Sequence, residues 1–391
     1  MKSPAVRIRG SGAVTPYGAG VQSLWQGIEE GRPAVSPFSG FENEGLPQLV
    51  VGKVPDAVDR LQAFNGLGRD GNRAAFLAGI AIEEALRTAN LSPGDLEGPG
   101  VALFLSTTKG PISAVERFCL HRKRSGDECM VTPSDLAGLL ARTLNISGTV
   151  QAVSSACASG AVAIALAADH LSSGRCDRAL VVGVDILSAF IVTGFLALKA
   201  LSSKPARPFD VDRDGLNPGE ASAAIILDVT DENSGPFVKG WGLSNDAHHI
   251  TGPDRHGSGL AHAIRAALND ADTTPDRIGA LVAHGTGTVF NDAMEMRAIE
   301  AVFSPTIPPV CGIKGAVGHS FGAAGLVEAA LAVEMLRRRK VPNTLGHGRC
   351  EEEGFRFRGA PLEQDRILSS NSGFGGVNAA VVIGKDDSWP L

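Results

Sequence analysis

Aromatic residues are scarce in this chain: one tyrosine, three tryptophans and 16 phenylalanines among 391 residues, 5% in all. That is thin material for a platform that stacks nucleic-acid bases. Positive charge is in deficit as well, with 36 Lys and Arg against 42 Asp and Glu and a net charge of -6. No global field would draw phosphates, so a nucleic-acid partner is not expected. No run of about 18 uninterrupted apolar residues is present, which argues against a membrane span. The opening Met1-Lys-Ser-Pro-Ala-Val-Arg-Ile-Arg9 lacks the apolar core of a secretion signal. The cysteines (Cys119, Cys129, Cys157, Cys176, Cys311 and Cys350) form no C-x-x-C pair. Neither a zinc site nor a redox motif is signalled, and scattered thiols in a long chain read as reduced. The expectation is a cytoplasmic protein with no bound metal.

Glycine is plentiful, at 48 residues, within an ordinary globular balance of 43% hydrophobic and 20% charged. Short apolar runs read as buried strands: Val101–Leu105, Ala179–Val184, Ala223–Leu227, Gly279–Ala283 and Ala379–Ile383. Helical patterns lie between them at Asn72–Thr88, Ala158–Ser172, Gly259–Ala271, Asp292–Phe303 and Gly322–Arg338. Alternation of this kind means an α/β fold with buried sheets. The order of features is duplicated. A strand, a small-residue turn with Cys157 and an Ala-rich helix are echoed by a strand near Val310, a turn with His319 and a second Ala-rich helix. Both helices are too apolar for a surface, so they should lie centrally against each other. The seam falls in Asp228–Pro236, giving halves 1–235 and 236–391.

Three residues in Gly/Ala-rich surroundings carry the chemistry. Cys157 lies in Ser154-Ser-Ala-Cys-Ala-Ser-Gly160 at the start of a helix, where unpaired N–H groups favour thiolate and should lower the thiol pKa. Its bland alternative is a buried structural cysteine. His284 ends a strand in His284-Gly-Thr-Gly-Thr288, at the edge where α/β sheets place their sites. His319 sits in Lys314-Gly-Ala-Val-Gly-His-Ser-Phe-Gly322. Lys314 among small apolar residues needs a partner, and Glu328 in an otherwise apolar helix is the natural one. A thiol with two imidazoles suffices for acyl transfer, one group carrying the acyl and two steering charge on a second carbonyl. The turn in Ser370-Asn-Ser-Gly-Phe-Gly-Gly-Val-Asn378 is either a plain hairpin connection or a source of an oxyanion N–H beside the thiol.

Taken with Arg207-Pro-Phe-Asp-Val-Asp-Arg-Asp-Gly215 and Asn371-Ser-Gly-Phe-Gly-Gly376, these residues make the chain resemble the elongating, Cys-His-His β-ketoacyl-acyl carrier protein synthases of the thiolase superfamily. The resemblance implies a five-layered αβαβα fold of two similar halves. It implies a homodimer, or a heterodimer with a ketosynthase-like subunit. It also implies an acyltransferase that needs no cofactor of its own, since phosphopantetheine on an acyl carrier protein bears the substrates. Cys157 would take the acyl group. His284 and His319 would stabilise the enolate of decarboxylated malonyl-carrier protein, and Lys314 with Glu328 would order the site. Phe374 would gate it and, with Cys157, lend an oxyanion N–H. Thr286 and Thr288 would hold pantetheine, and Asp292 would support them. Arg122-Lys123-Arg124 is either a solvated loop or the place where an acidic carrier docks.

The chain departs from the housekeeping pattern in a short Ala200–Pro208 stretch, in Asn217-Pro-Gly-Glu220 and in Lys109 within Leu105-Ser-Thr-Thr-Lys-Gly110. These departures look somewhat like polyene or pigment synthases. They leave open fatty-acid against polyene or polyketide-type elongation. A chain-length-determining partner subunit is the rival reading, but such subunits usually lack the cysteine. A thiolase-like enzyme acting on coenzyme A thioesters is a further rival.

Overall fold

A computed structural model describes residues 5–68, 71–121, 130–230, 235–350 and 352–385. Ten strands form the main path of an 11-stranded sheet. They are β1 Ala5–Thr15, β2 Val101–Ser106, β3 Val150–Val153, β4 Arg178–Asp185 and β5 Ala221–Thr230, then β6 Pro236–Asn245, β7 Ala280–Val282, β8 Val310–Cys311, β9 Arg366–Gly373 and β10 Val377–Lys385. The first five run in the order β3-β2-β4-β5-β1 and the last five in the order β8-β7-β9-β10-β6, the same order twice. Directions repeat too. β2 is parallel to β3 and β4, and β5 is antiparallel to its neighbours. Likewise β7 is parallel to β8 and β9, and β10 is antiparallel to both of its neighbours. The two sets join through a short antiparallel contact, Val6 with Val238 and Arg7 with Phe237.

Three buried clusters define the layers. The central one packs Ser159–Ser172 and Ala324–Arg338, the middle helices, between the inner sheet faces. The other two lie on the outer faces, one under Arg73–Ala89 and Pro133–Thr143, the other under Ser258–Asp270 and Val289–Phe303. The result is α-β-α-β-α, as the resemblance implies. Glycine sets the layer spacing. A Cβ on Gly12 of β1 would meet Ala81 O at 2.1 Å, and one on Gly242 of β6 would meet Ala263 O at 2.1 Å. The first strand of each half thus lets its outer helix lie against backbone. The middle helices cross at Gly160 and Gly325, where a Cβ on Gly160 would lie 2.9 Å from Gly325 Cα.

The five strands and five helices read from the sequence are present, with ends shifted by up to three residues. The last helix starts at Ala324, after a single 3₁₀ turn at Phe321–Ala323. The strand expected before the Cys157 turn is Val150–Val153, and the apolar strand before Ser370 is Arg366–Gly373. Two strands were not legible, Ala5–Thr15 and Pro236–Asn245. Arg and Gly interrupt the apolar pattern in the first, and Lys, Gly and Trp in the second. Ser370–Gly373 proves to be strand, so only Phe374–Gly376 is turn. Part of the expected seam, residues 231–234, lies outside the described residues.

Candidate active site

Cys157 stands at the mouth of the middle helix Ser159–Ser172. Ala156 before it is forced to φ 48°, a left-handed turn that costs an L-residue about 1 kcal/mol or more. Phe321 holds the matching place before the other middle helix and is also left-handed, at φ 49°. Two tight turns therefore aim residues from both halves at one point. Ser159 ties the first turn, its hydroxyl accepting from Ser155 N at 2.8 Å.

His319 and His284 converge on the sulfur. His319 Nε2 lies 3.0 Å from Cys157 Sγ. The two imidazoles are 5.2 Å apart, nearly perpendicular at 84°. Burial, and then the Lys314 charge, hold both histidines well below the usual imidazole range, so each is neutral near pH 7. Phe321 N points at His319 Nδ1 at 3.4 Å, and Asn371 Nδ2 approaches His284 Nδ1 at 3.3 Å. Each Nδ1 then accepts and each Nε2 carries the proton, an assignment drawn from these contacts. Two neutral N–H donors therefore serve the cavity.

Lys314 lies in the one-turn helix Lys314–Val317 and is 2% exposed. Its ammonium donates to Glu328 Oε1 at 2.5 Å and to His284 O at 2.5 Å. Glu328 Oε2 in turn accepts from Asn371 Nδ2 at 2.6 Å. Lys314, Glu328, Asn371 and His284 form one buried hydrogen-bonded network around the His284 member of the imidazole pair. Burial raises the Glu328 carboxyl above its ordinary value, and Lys314 pulls it back.

The His284 loop is held from beneath by two buried acids. Glu295 accepts from His284 N at 2.6 Å and Gly285 N at 2.8 Å, and burial pushes its carboxyl up to about 7. Asp292 accepts from Phe209 N at 2.7 Å, Thr286 N at 3.1 Å and Gly287 N at 3.1 Å. Thr286 and Thr288 join hydroxyls at 2.9 Å, and both line the cavity.

That cavity has a volume of about 320 Å³ and contains Cys157, His284, His319, Thr286, Thr288 and Phe374 in its wall. Phe374 stacks on Phe195 at 5.6 Å, and Phe195 packs on Phe321 at 5.4 Å. A Cβ on Gly373 would lie 3.1 Å from Cys157 N, so the Phe374 turn is pressed against the backbone of Cys157. The mouth is apolar, with Ile250 and Phe290 largely exposed.

One sequence expectation fails. The helix mouth was expected to lower the Cys157 pKa, yet burial dominates and pushes the thiol up to about 11, against the opposing charges of Lys314 and Lys109. Desolvation of a thiolate outweighs a partial helix charge. The basic run Arg122-Lys123-Arg124 lies outside the described residues. His249 is exposed and borders the cavity. Asn371, Glu295, Asp185 and Lys109 were not singled out as site residues. Polar residues inside apolar runs were the signal for the acids. The donor atoms of Cys157, His284 and His319 lie within 4.8 Å of one another, a set that could hold a metal ion. The Lys314 cation, whose charge acts on both histidines, and the direct sulfur–imidazole contact weigh against a divalent ion there. Among the described residues no helix is long and apolar enough to cross a membrane.

Residues 3–233 match the β-ketoacyl synthase N-terminal domain, and residues 237–347 match the β-ketoacyl synthase C-terminal domain. The chain is 30% identical to the mitochondrial 3-oxoacyl-[acyl-carrier-protein] synthase of Arabidopsis thaliana, over 96% of this chain and 92% of that one. It superimposes on the ishigamide ketosynthase/chain length factor with a TM-score of 0.88 at 27% identity, covering 98% of this chain and 100% of that one. It also superimposes on the AntDE:AntF complex, a type II polyketide synthase acyl-carrier protein with its ketosynthase bound to the hexaketide, with a TM-score of 0.85 at 25% identity, covering 99% and 100%. The chain belongs to the β-ketoacyl synthase family.

Proposed function

We propose that this protein extends an acyl chain by decarboxylative Claisen condensation, as a 3-oxoacyl-[acyl-carrier-protein] synthase. The observation that carries the reading is the meeting of Cys157 Sγ, His319 Nε2 at 3.0 Å and the perpendicular His284 ring in one cavity. In the first stage Cys157 sulfur bonds to the acyl carbon, and the pantetheine sulfur leaves with the displaced proton. In the second, the malonyl C–CO₂ bond breaks, carbon dioxide leaves and the electron pair passes to the thioester enolate. The enolate carbon attacks the acyl-cysteine, the C–S bond breaks and Cys157 is freed.

The neutral His284 and His319 Nε2–H groups are suited to receive the enolate oxygen. Backbone N–H groups of Cys157 and Phe374 would receive the other oxyanion. Each such donor is typically worth about 3 kcal/mol, so losing one slows its step about 100- to 1000-fold. Thr286 and Thr288 would hold the pantetheine arm. Phe374, on a turn with two glycines, would swing between loading and condensation. Asp292 would brace the threonine loop, and Lys314 with Glu328 would order both imidazoles.

The acyl carrier protein would bring both substrates on phosphopantetheine, with Arg122, Lys123 and Arg124 as its docking charges. The complexes named above support carrier binding and a ketosynthase-like partner subunit. Strand β3 ends the sheet with Val150 exposed, an edge that a second subunit, identical or related, can pair. We read residues 1–235 and 236–391 as the two halves of the fold.

The test is mass spectrometry of Cys157 after incubation with a panel of acyl-carrier proteins, followed by malonyl-carrier protein. Acyl-Cys157 should form and then be lost with carbon dioxide and a product two carbons longer. An unmodified Cys157 across the whole panel would overturn the reading.

A further inference from the structure

Lys109 has no part in the scheme above. It lies in the turn after β2, with its side chain only 6% exposed. Its counter-ion would be Asp185, 1% exposed at the end of β4. That carboxylate is already taken by four closer donors. Thr107 Oγ1 and Thr108 N donate at 2.9 Å, and Thr108 Oγ1 and Gly322 N at 2.8 Å. The ammonium stands off at 3.5 Å, donates to Thr108 Oγ1 and lies 4.5 Å from the centre of the Phe321 ring. Phe321 is 4.9 Å from the His319 ring, and His319 touches the Cys157 sulfur. A desolvated cation with a diluted counter-charge thus sits one aromatic ring away from the reacting pair.

We propose that Lys109 is an electrostatic positioning residue for Cys157, its charge favouring the thiolate and keeping His319 uncharged. The proposal rests on the reading of Cys157 as nucleophile. The charged and titratable groups around that sulfur are His319, His284, Lys314 with its partner Glu328, Asp185 and Lys109. After burial, which raises the thiol, Lys314 and then Lys109 pull it down, and Asp185 opposes them less strongly. The same Lys109 charge, after burial and Lys314, lowers His319. Burial pulls Lys109 itself below the usual ammonium range, and Asp185, Cys157 and Glu116 hold it up. Thiolate and ammonium therefore support each other, as coupled titrating sites do. The arrangement also gives Asp185 a task of its own. It ties the Thr107–Thr108 turn to the start of the His319-side helix, so the cation cannot drift from the site.

The experiment uses full-length protein without substrate, so its failure is separable from failure of the condensation reading. Cys157 alkylation by iodoacetamide and by iodoacetate is followed by peptide mass spectrometry at pH 8. Variants are Lys109→Met, Lys109→Gln and Lys109→Arg. Loss of the charge should slow iodoacetamide about tenfold, the equivalent of one pKa unit. It should also lower the iodoacetate-to-iodoacetamide ratio, because the anionic reagent loses its attraction while the two reagents are alike in size. Lys109→Arg should keep both values near the parent's. Lys109→Gln can still hydrogen-bond Thr108, so it carries the test if Lys109→Met fails to fold. A parent-like rate and ratio in Lys109→Gln would overturn the proposal, as would an arginine variant as impaired as the neutral ones.

Discussion

At the level of single residues, the costliest feature is the buried Lys314–Glu328 pair, 2% and 0% exposed. A buried pair is weakly stabilising as a pair but expensive to break. Glu328→Gln or Lys314→Met alone should cost about 3–5 kcal/mol, read as a lower denaturant midpoint, and should abolish condensation. The double variant Lys314→Met/Glu328→Leu should recover most of the stability and none of the turnover. Recovery of turnover in the double variant would remove the pair from the mechanism. The Cys157 thiol, pushed up to about 11, gives a second outcome. Thiolate is the nucleophile, so below that value its fraction rises about tenfold for each pH unit. Alkylation by iodoacetamide should therefore climb about 100-fold from pH 7 to pH 9. A plateau already at pH 8 would mean that burial does not govern this thiol.

At the level of elements, the site is made by two helices that share a crossing. Gly160 and Gly325 allow backbone contact there, and the turns that carry Cys157 and His319 lead into those helices. Gly160→Ala forces a Cβ against Gly325 and Leu326, so overpacking should cost about 1–3 kcal/mol. Turnover should fall more than stability warrants, because the nucleophile and His319 move apart together. Unchanged kcat with a lowered melting temperature would show that the crossing serves stability alone. The Ala-rich helices themselves were legible, since their lack of polar positions left no surface role. The glycine pairs Gly10-x-Gly12 and Gly240-x-Gly242 were in plain view too, once in the first strand of each half. They went unread because glycine interrupts a strand pattern, and only the helix lying on it reveals the purpose.

At the level of the whole molecule, function requires a carrier to bring its arm to an apolar mouth on an otherwise acidic protein. Charge reversal of Arg122, Lys123 and Arg124 to Glu should raise KM for acyl-carrier protein several-fold and leave kcat nearly unchanged. A fall in kcat at constant KM would remove the run from docking. Local pattern alone pointed to the α/β class, the duplicated order, Cys157 and both histidines as candidate site residues, and the lysine–glutamate pair. Each of these is written in residue type and spacing. Only the tertiary structure decided that burial overrides the helix mouth at Cys157, that Asn371 meets the His284 ring while two acids hold its loop, and that Lys109 stands one aromatic ring from the His319–Cys157 pair. Desolvation and long-range charge depend on what surrounds a group in space, and that is fixed only when both halves close on each other.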